Sequence, residues 1–266
     1  MATNNNVNTS LSGQTGTGSF VGSNSPTLVT PVLGTPSSGN GTNLTNTGGL
    51  KSFQIFTSGT AATYTKPANV TSILVEMIGG GGGGGGVAST ATGGAGGGGG
   101  GGGGYLRKYI ASAAGTYTYT VGPGGAGGTT GNNAGSAGTA STWSGGSLSA
   151  GGGAGGSGSA NFTVSTFTGL PVAGGTSTNG DINVVGGQGN PGFYSTTQAI
   201  ALGGVGGIAT YLSNGTQQPA INGGITNGFS GTGYGGGGSG GAGQGSASTA
   251  AGGTGATGII IVWEFA

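Results

Sequence analysis

The chain has 266 residues, of which 76 are glycine and none is cysteine or histidine, and its four basic and three acidic side chains leave a formal charge of +1. That balance excludes electrostatic capture of nucleic acid or of an anionic membrane, and the missing thiols and imidazoles exclude a disulfide framework and the commonest metal and nucleophile chemistries. Near neutrality with 32% hydrophobic residues also differs from the highly charged, weakly hydrophobic composition of disordered chains.

The first residues after Met1 lack the basic and apolar regions of a secretory signal, and the longest apolar run, Ile259 to Trp263, is too short to span a bilayer. No membrane insertion is expected, and the chain is expected to remain in the cytoplasm until something other than a signal peptide releases it. Residues 1–50 are polar, with Pro26, Pro31 and Pro36 spaced to favour extended backbone. They read as an extended stem or attachment segment, and residues 51–266 as a separate glycine-rich domain.

Strand-like runs begin at Ser52 to Thr57. The next, Ile73 to Ile78, places Ile73, Val75 and Met77 on one face by alternation. Tyr105 to Ile110 and Thr116 to Val121 follow, and the chain closes on Ile259 to Phe265, where Ile261 and Trp263 are expected on a common buried face. No sustained helical period occurs anywhere. The expected fold is all-β: a small β-sandwich base containing the first and last strands and carrying an irregular glycine-rich region.

Between the strands lie the uninterrupted runs Gly79 to Gly86 and Gly96 to Gly104, with shorter tracts later. Ordering backbone costs about 1–2 kcal/mol per residue, most of all for glycine, so only a repeating backbone interaction could hold such runs in place. A bundle of polyglycine II helices supplies one, because a threefold helix without side chains can bond to neighbours on every side. The two long runs then form antiparallel rods joined through Val87 to Thr92. Collagen is excluded, since no strict Gly-X-Y period is kept and proline numbers only 8. A flexible linker is the competing reading of the tracts.

Segments rich in Tyr, Phe, Asn and Ser interrupt the tracts and read as turns at the ends of such a bundle. That composition on loops held by a rigid scaffold suits a recognition surface, with Phe193, Tyr194, Tyr211, Phe229 and Tyr234 as candidate receptor contacts. The alternative is that the rings plug the bundle ends. Three scattered carboxylates offer no acid–base pair, and the serine-centred match at Gly237 to Gly241 has no base to activate Ser239. An enzyme is not expected, and neither is a cofactor or a metal.

The phrase Tyr64 to Ile78 running into polyglycine, then Gly115 to Gly125, then Gly258 to Trp263, resembles the glycine-rich domain of bacteriophage tail fibre and tail-tip adhesin proteins. The resemblance implies a virion structural protein, assembled in the host cytoplasm, whose polyglycine II sandwich presents end loops to a host bacterial surface receptor, protein or glycan. It further implies a homotrimer, with residues 1–50 engaging other tail proteins. A cellular extracellular filament or ice-binding protein on the same scaffold is the alternative, and a disordered condensate-forming protein a third class.

Overall fold

The computed structural model describes residues 49–214, 216–245 and 247–266; the expected stem lies outside these residues except for its last two. The described residues are all-β, with no helix among them, and their strands form several small sheets rather than a barrel.

Two five-stranded sheets enclose the main core. In the first, the strands run in the spatial order Leu50–Phe56, Ile259–Phe265, Ser72–Ile78, Tyr105–Ile110 and Ile182–Val184, every pair antiparallel. The closing strand is thus inserted between the first strand and Ser72–Ile78. In the second sheet the order is Ser177–Thr178, Leu148–Ala150, Ser141–Trp143, Thr116–Thr120 and Ala62–Thr65.

Ile73, Val75 and Met77 are fully buried on the expected face, together with Leu106, Ile260 and Val262. Opposite them stands an aromatic group: the Trp143 ring lies 5.2 Å from that of Tyr64 and 5.1 Å from that of Tyr117, and Tyr119 lies 4.4 Å from Phe56 of the first sheet. Each such buried side chain contributes about 1.5–3 kcal/mol.

The closing strand corrects one expectation. Its buried face is Ile260, Val262 and Glu264, whereas Ile261 and Trp263 lie on the opposite, partly exposed face. A carboxylate occupies the core because three donors satisfy it: Ser52 Oγ, Gln54 Nε2 at 2.7 Å and Tyr64 Oη at 2.7 Å. Burial, and then the bond to Glu264, push the Tyr64 hydroxyl pKa well above its ordinary value.

Base strands continue directly into glycine segments. Ile78 leads into Gly79 to Gly86, Gly104 returns into Tyr105, and Gly258 leads into Ile259. Along Gly79 to Gly86 the amides donate in strict rotation to three neighbouring segments at 2.8–3.0 Å: Gly79, Gly82 and Gly85 to Gly104, Gly101 and Gly98; Gly80, Gly83 and Gly86 to Thr139, Ser136 and Asn133; Gly81 and Gly84 to Ala256 and Gly253. Their carbonyls accept, in the same rotation, from Gly153, Gly156 and Ser159, from Gly125 and Gly128, and from Gly238 and Gly241. The run is enclosed on all sides by backbone.

Gly96 to Gly104 is enclosed likewise: successive amides from Gly97 onward donate to segments around Gly241, Ser157 and Asn190, repeating every third residue. The descending residue numbers opposite Gly79, Gly82 and Gly85 make these two runs antiparallel. A Cβ on Gly82 would lie 2.0 Å from Ala154 O, and one on Gly99 2.1 Å from Val205 O. No side chain fits there.

Segments with fewer neighbours relax this demand in register. Along Gly122 to Gly128, Pro123 and Ala126 are exposed, three residues apart, while Gly122, Gly125 and Gly128 are buried. In the outer segment 135–139 glycine remains only at Gly135 and Gly138, whose Cβ atoms would each approach Gly83 O or Gly80 O to 2.2 Å, and Ser136, Ala137 and Thr139 face solvent. Glycine density along a segment therefore reports how many backbones surround it. In these outer segments the interruptions are outward positions, whereas Ser239 and Ala242, which interrupt the tract Gly235 to Gly243, are small side chains held fully inside.

Candidate functional site

The far end of the bundle is built on Gly94–Gly96, the start of the second long run. This short strand pairs with Ala242–Gln244, which pairs in turn with Gly224–Thr226. Against it lies a four-stranded sheet in the order Thr166–Thr168, Gly192–Ser195, Ile200–Leu202 and Ala220–Ile221. The contact is tight. Gly96 N donates to Thr168 Oγ1 at 3.1 Å, Thr168 Oγ1 donates to Gly96 O at 2.5 Å, and a Cβ on Gly96 would meet Leu202 O at 2.0 Å.

Strand alternation then divides neighbouring aromatics. Tyr194 points inward and is 4% exposed, packed with Ala201 and Ala242, its ring so close to Gly94 that a Cβ there would meet it at 2.4 Å. Phe193 points outward and lies 5.2 Å from the Phe167 ring, its partner in the cross-strand register. Phe193 and Phe167 line a shallow cleft of about 350 Å³ with Asn190, Pro191, Leu202 and Gln218. Phe167 is 71% exposed and Leu170 75%, with Val164 also exposed nearby in sequence. This end is apolar and uncharged.

The candidates therefore separate. Phe193 belongs to the far-end cleft. Tyr194 is corrected from a contact residue to a plug, because its ring fills the gap that Gly94 leaves and keeps almost no surface for a partner. Phe229 sits in a segment along the bundle, its amide donating to Ser239 Oγ at 2.7 Å and its carbonyl accepting from Ser239 N at 2.9 Å. Tyr211 and Tyr234 lie at the base end: the Tyr211 ring is 6.4 Å from that of Tyr105, and Tyr234 packs on the cluster of Ile78, Tyr105, Ala209 and Ile259. Antiparallel segments send successive turns to opposite ends, so aromatic turns adjacent in the sequence do not share a surface.

Phe167 and Leu170 were not singled out by the sequence reasoning, although their segment was read as an aromatic turn. The available signal was the alternation of Thr166, Phe167 and Thr168, which sends the threonine beside Gly96 inward and the ring outward.

Every charged side chain belongs to the base. Lys51, Glu76, Arg107, Lys108 and Glu264 lie on its strands, and Lys66 and Asp181 lie next to strands Ala62–Thr65 and Ile182–Val184. Asp181 accepts from Lys108 Nζ at 2.5 Å and from the Tyr109 amide at 2.9 Å, which hold its pKa below the usual carboxylate range. What the far end can offer a partner is apolar contact, aromatic faces and neutral hydrogen bonds.

No curated protein sequence matches the chain. A family model described as a glycine-rich domain matches residues 56–263, a span that contains the second sheet, both long glycine runs, the far-end cleft and the first sheet apart from most of Leu50–Phe56 and the last two residues of Ile259–Phe265. The chain belongs to this family of glycine-rich domains.

Proposed function

We propose that this chain is a structural protein of a bacteriophage virion, a tail fibre or tail-tip adhesin, in which polyglycine II rods hold a neutral apolar end against a receptor on the bacterial surface. The observation that carries the reading is the division of labour along the chain: all charge and the main core lie at the base, while the aromatic cleft of Phe167 and Phe193 lies beyond the glycine runs. The threefold rotation of amide bonds between neighbouring segments supports the polyglycine II assignment. At about 3.1 Å per residue the Gly96 to Gly104 run carries the cleft roughly 25 Å from the base.

Such rods act as a spacer with a fixed orientation. Aromatic side chains held on a rigid frame give contact area at low entropic cost, so recognition by Phe167 and Phe193 needs little ordering on binding. The receptor is a surface protein or glycan, and no catalytic step or cofactor belongs to the reading. Residues 1–50 join the domain to other tail proteins, and the assembly is a homotrimer in the virion tail, formed in the cytoplasm of the infected cell.

The test is adsorption of the purified protein to a panel of bacterial strains. Binding to a subset of strains, abolished by Phe167→Ala with Phe193→Ala while the melting temperature stays within a few degrees, is expected. Equal retention of the parent and the double variant on every strain overturns the reading.

A further inference from the structure

We infer that the outer face of the first base sheet is where copies of this chain meet. Antiparallel register aligns its outward residues in rows. One row is Phe53, Trp263, Leu74 and Tyr109; the next is Ile55, Ile261, Glu76, Arg107 and Ile182. Alternation puts Ile73, Val75, Met77, Leu106, Ile260 and Val262 on the other side, so these rows form one surface, bounded by the next row, Ile259, Ile78 and Tyr105, which is buried under Tyr234 and Leu212.

That surface is far more apolar than a water-facing sheet requires. Leu50, Phe53, Ile55, Tyr109, Ile182 and Val184 each keep 43–55% of their area exposed. With aromatic side chains offering about 150–250 Å² when fully buried, the half-exposed set leaves on the order of 600 Å² of apolar surface. This reaches the upper end of patches on monomers, about 300–600 Å², and approaches the roughly 800 Å² that each partner contributes to a standard interface.

The charge pattern selects the occupant. Glu76 and Arg107 are the charges on these rows, 3.8 Å apart, and Glu76 also accepts from Trp263 Nε1 at 3.0 Å and Tyr105 Oη at 2.9 Å. The patch therefore has no net charge, and a second identical face meets no like-charge repulsion. The Arg107 side chain keeps 43% of its area exposed beside Glu76, so its guanidinium remains able to reach the carboxylate of another copy. Pairing through the exposed edge of strand Leu50–Phe56 is disfavoured by Lys51 and by the irregular register between Leu50 and Ser52, which leaves the face. Two copies face to face, or three about an axis, bury the same patch.

The experiment is the mass of the full chain in solution, by light scattering or sedimentation equilibrium, for the parent, Phe53→Lys, Val184→Lys and Phe193→Ala. The parent and Phe193→Ala are expected as the same defined oligomer, and Phe53→Lys and Val184→Lys as monomers with the parent's far-ultraviolet spectrum. Because Phe193→Ala probes the far end and the lysine variants probe the base, loss of cell binding and loss of assembly are read separately. A monomeric parent up to high micromolar concentration, or an oligomer unchanged by both lysine variants, overturns the inference. If one lysine variant does not fold, the other decides alone.

Discussion

Gly82 donates its amide to the carbonyl of Gly101 at 2.8 Å, while a Cβ on Gly100 would lie 2.2 Å from Gly82 O. The same pair of runs is thus bonded at one position and closed to any side chain at the next. Gly100→Val forces one of two enclosed backbones to move, and the cost is expected to exceed the roughly 1–3 kcal/mol of ordinary overpacking. Ala126→Val, on an outward position, is expected to change stability by less than about 1 kcal/mol. Thermal melts of both variants check this: loss of folded protein for the first and near-parent melting for the second is the expected contrast.

The closing strand lies between two others, so its loss opens the first sheet at its centre. Deleting Ile259 to Ala266 removes Ile260 and Val262 from the core and deprives Ser52, Gln54 and Tyr64 of their shared acceptor. Circular dichroism and melting of the truncated chain are expected to show an unfolded domain; a cooperative melt near the parent's would contradict the topology.

Alkaline pH should loosen the base. The Tyr64 hydroxyl is raised above its ordinary 10.0 by burial and then by its bond to Glu264, and that of Tyr105 by burial and then by its bond to Glu76. Above pH 10 the unfolded chain releases these protons while the folded chain retains them, so stability is fully present below that pH and falls as pH rises further. Melting temperature should be insensitive to these groups from neutral pH to about 10 and decline beyond it. Tyr64→Phe should lower the neutral value and make the alkaline decline shallower.

Much of this architecture was legible in the text. The alternation of Ile73, Val75 and Met77 gave their buried face, and two equal-looking glycine runs around a short turn gave antiparallel partners. The closing strand misled, because Ile261 and Trp263 look more buriable than Glu264, and nothing local in the sequence says that Ser52, Gln54 and Tyr64 will converge on that carboxylate from elsewhere in the chain. Glycine interruptions carried more than was read from them: Pro123, Ala126 and Thr129 keep a local period of three that marks an outer segment, although no such period spans the whole chain. The site was the least legible part. Which end of the bundle a turn occupies depends on the direction of its flanking segments, and whether Phe193 or Tyr194 faces out depends on a register set by Phe167 and Leu202.

The plug and the cleft can be separated by measurement. Tyr194→Ala leaves a cavity over Gly94 and is expected to cost about 3–5 kcal/mol. Phe167→Ala removes a mostly exposed ring and is expected to leave melting within a few degrees. Host-cell binding should fall in both, but only Phe167→Ala should lose it while still folded. Binding should also vary little between low and high salt, since the far end carries no charge to screen.

The claim on which the rest depends is that the glycine runs are ordered by their neighbours, and amide hydrogen exchange at Gly79 to Gly86 and Gly96 to Gly104 tests it most directly. Each of these amides except that of Gly96, which donates to Thr168 Oγ1, donates to another segment's carbonyl. Exchange as slow as that of Val75 in the base core is the expected result, because opening any one run requires parting the segments around it. Exchange at the rate of an unstructured glycine peptide, with Val75 still protected, would mean that the runs are flexible tethers and that no rigid frame carries the far-end cleft.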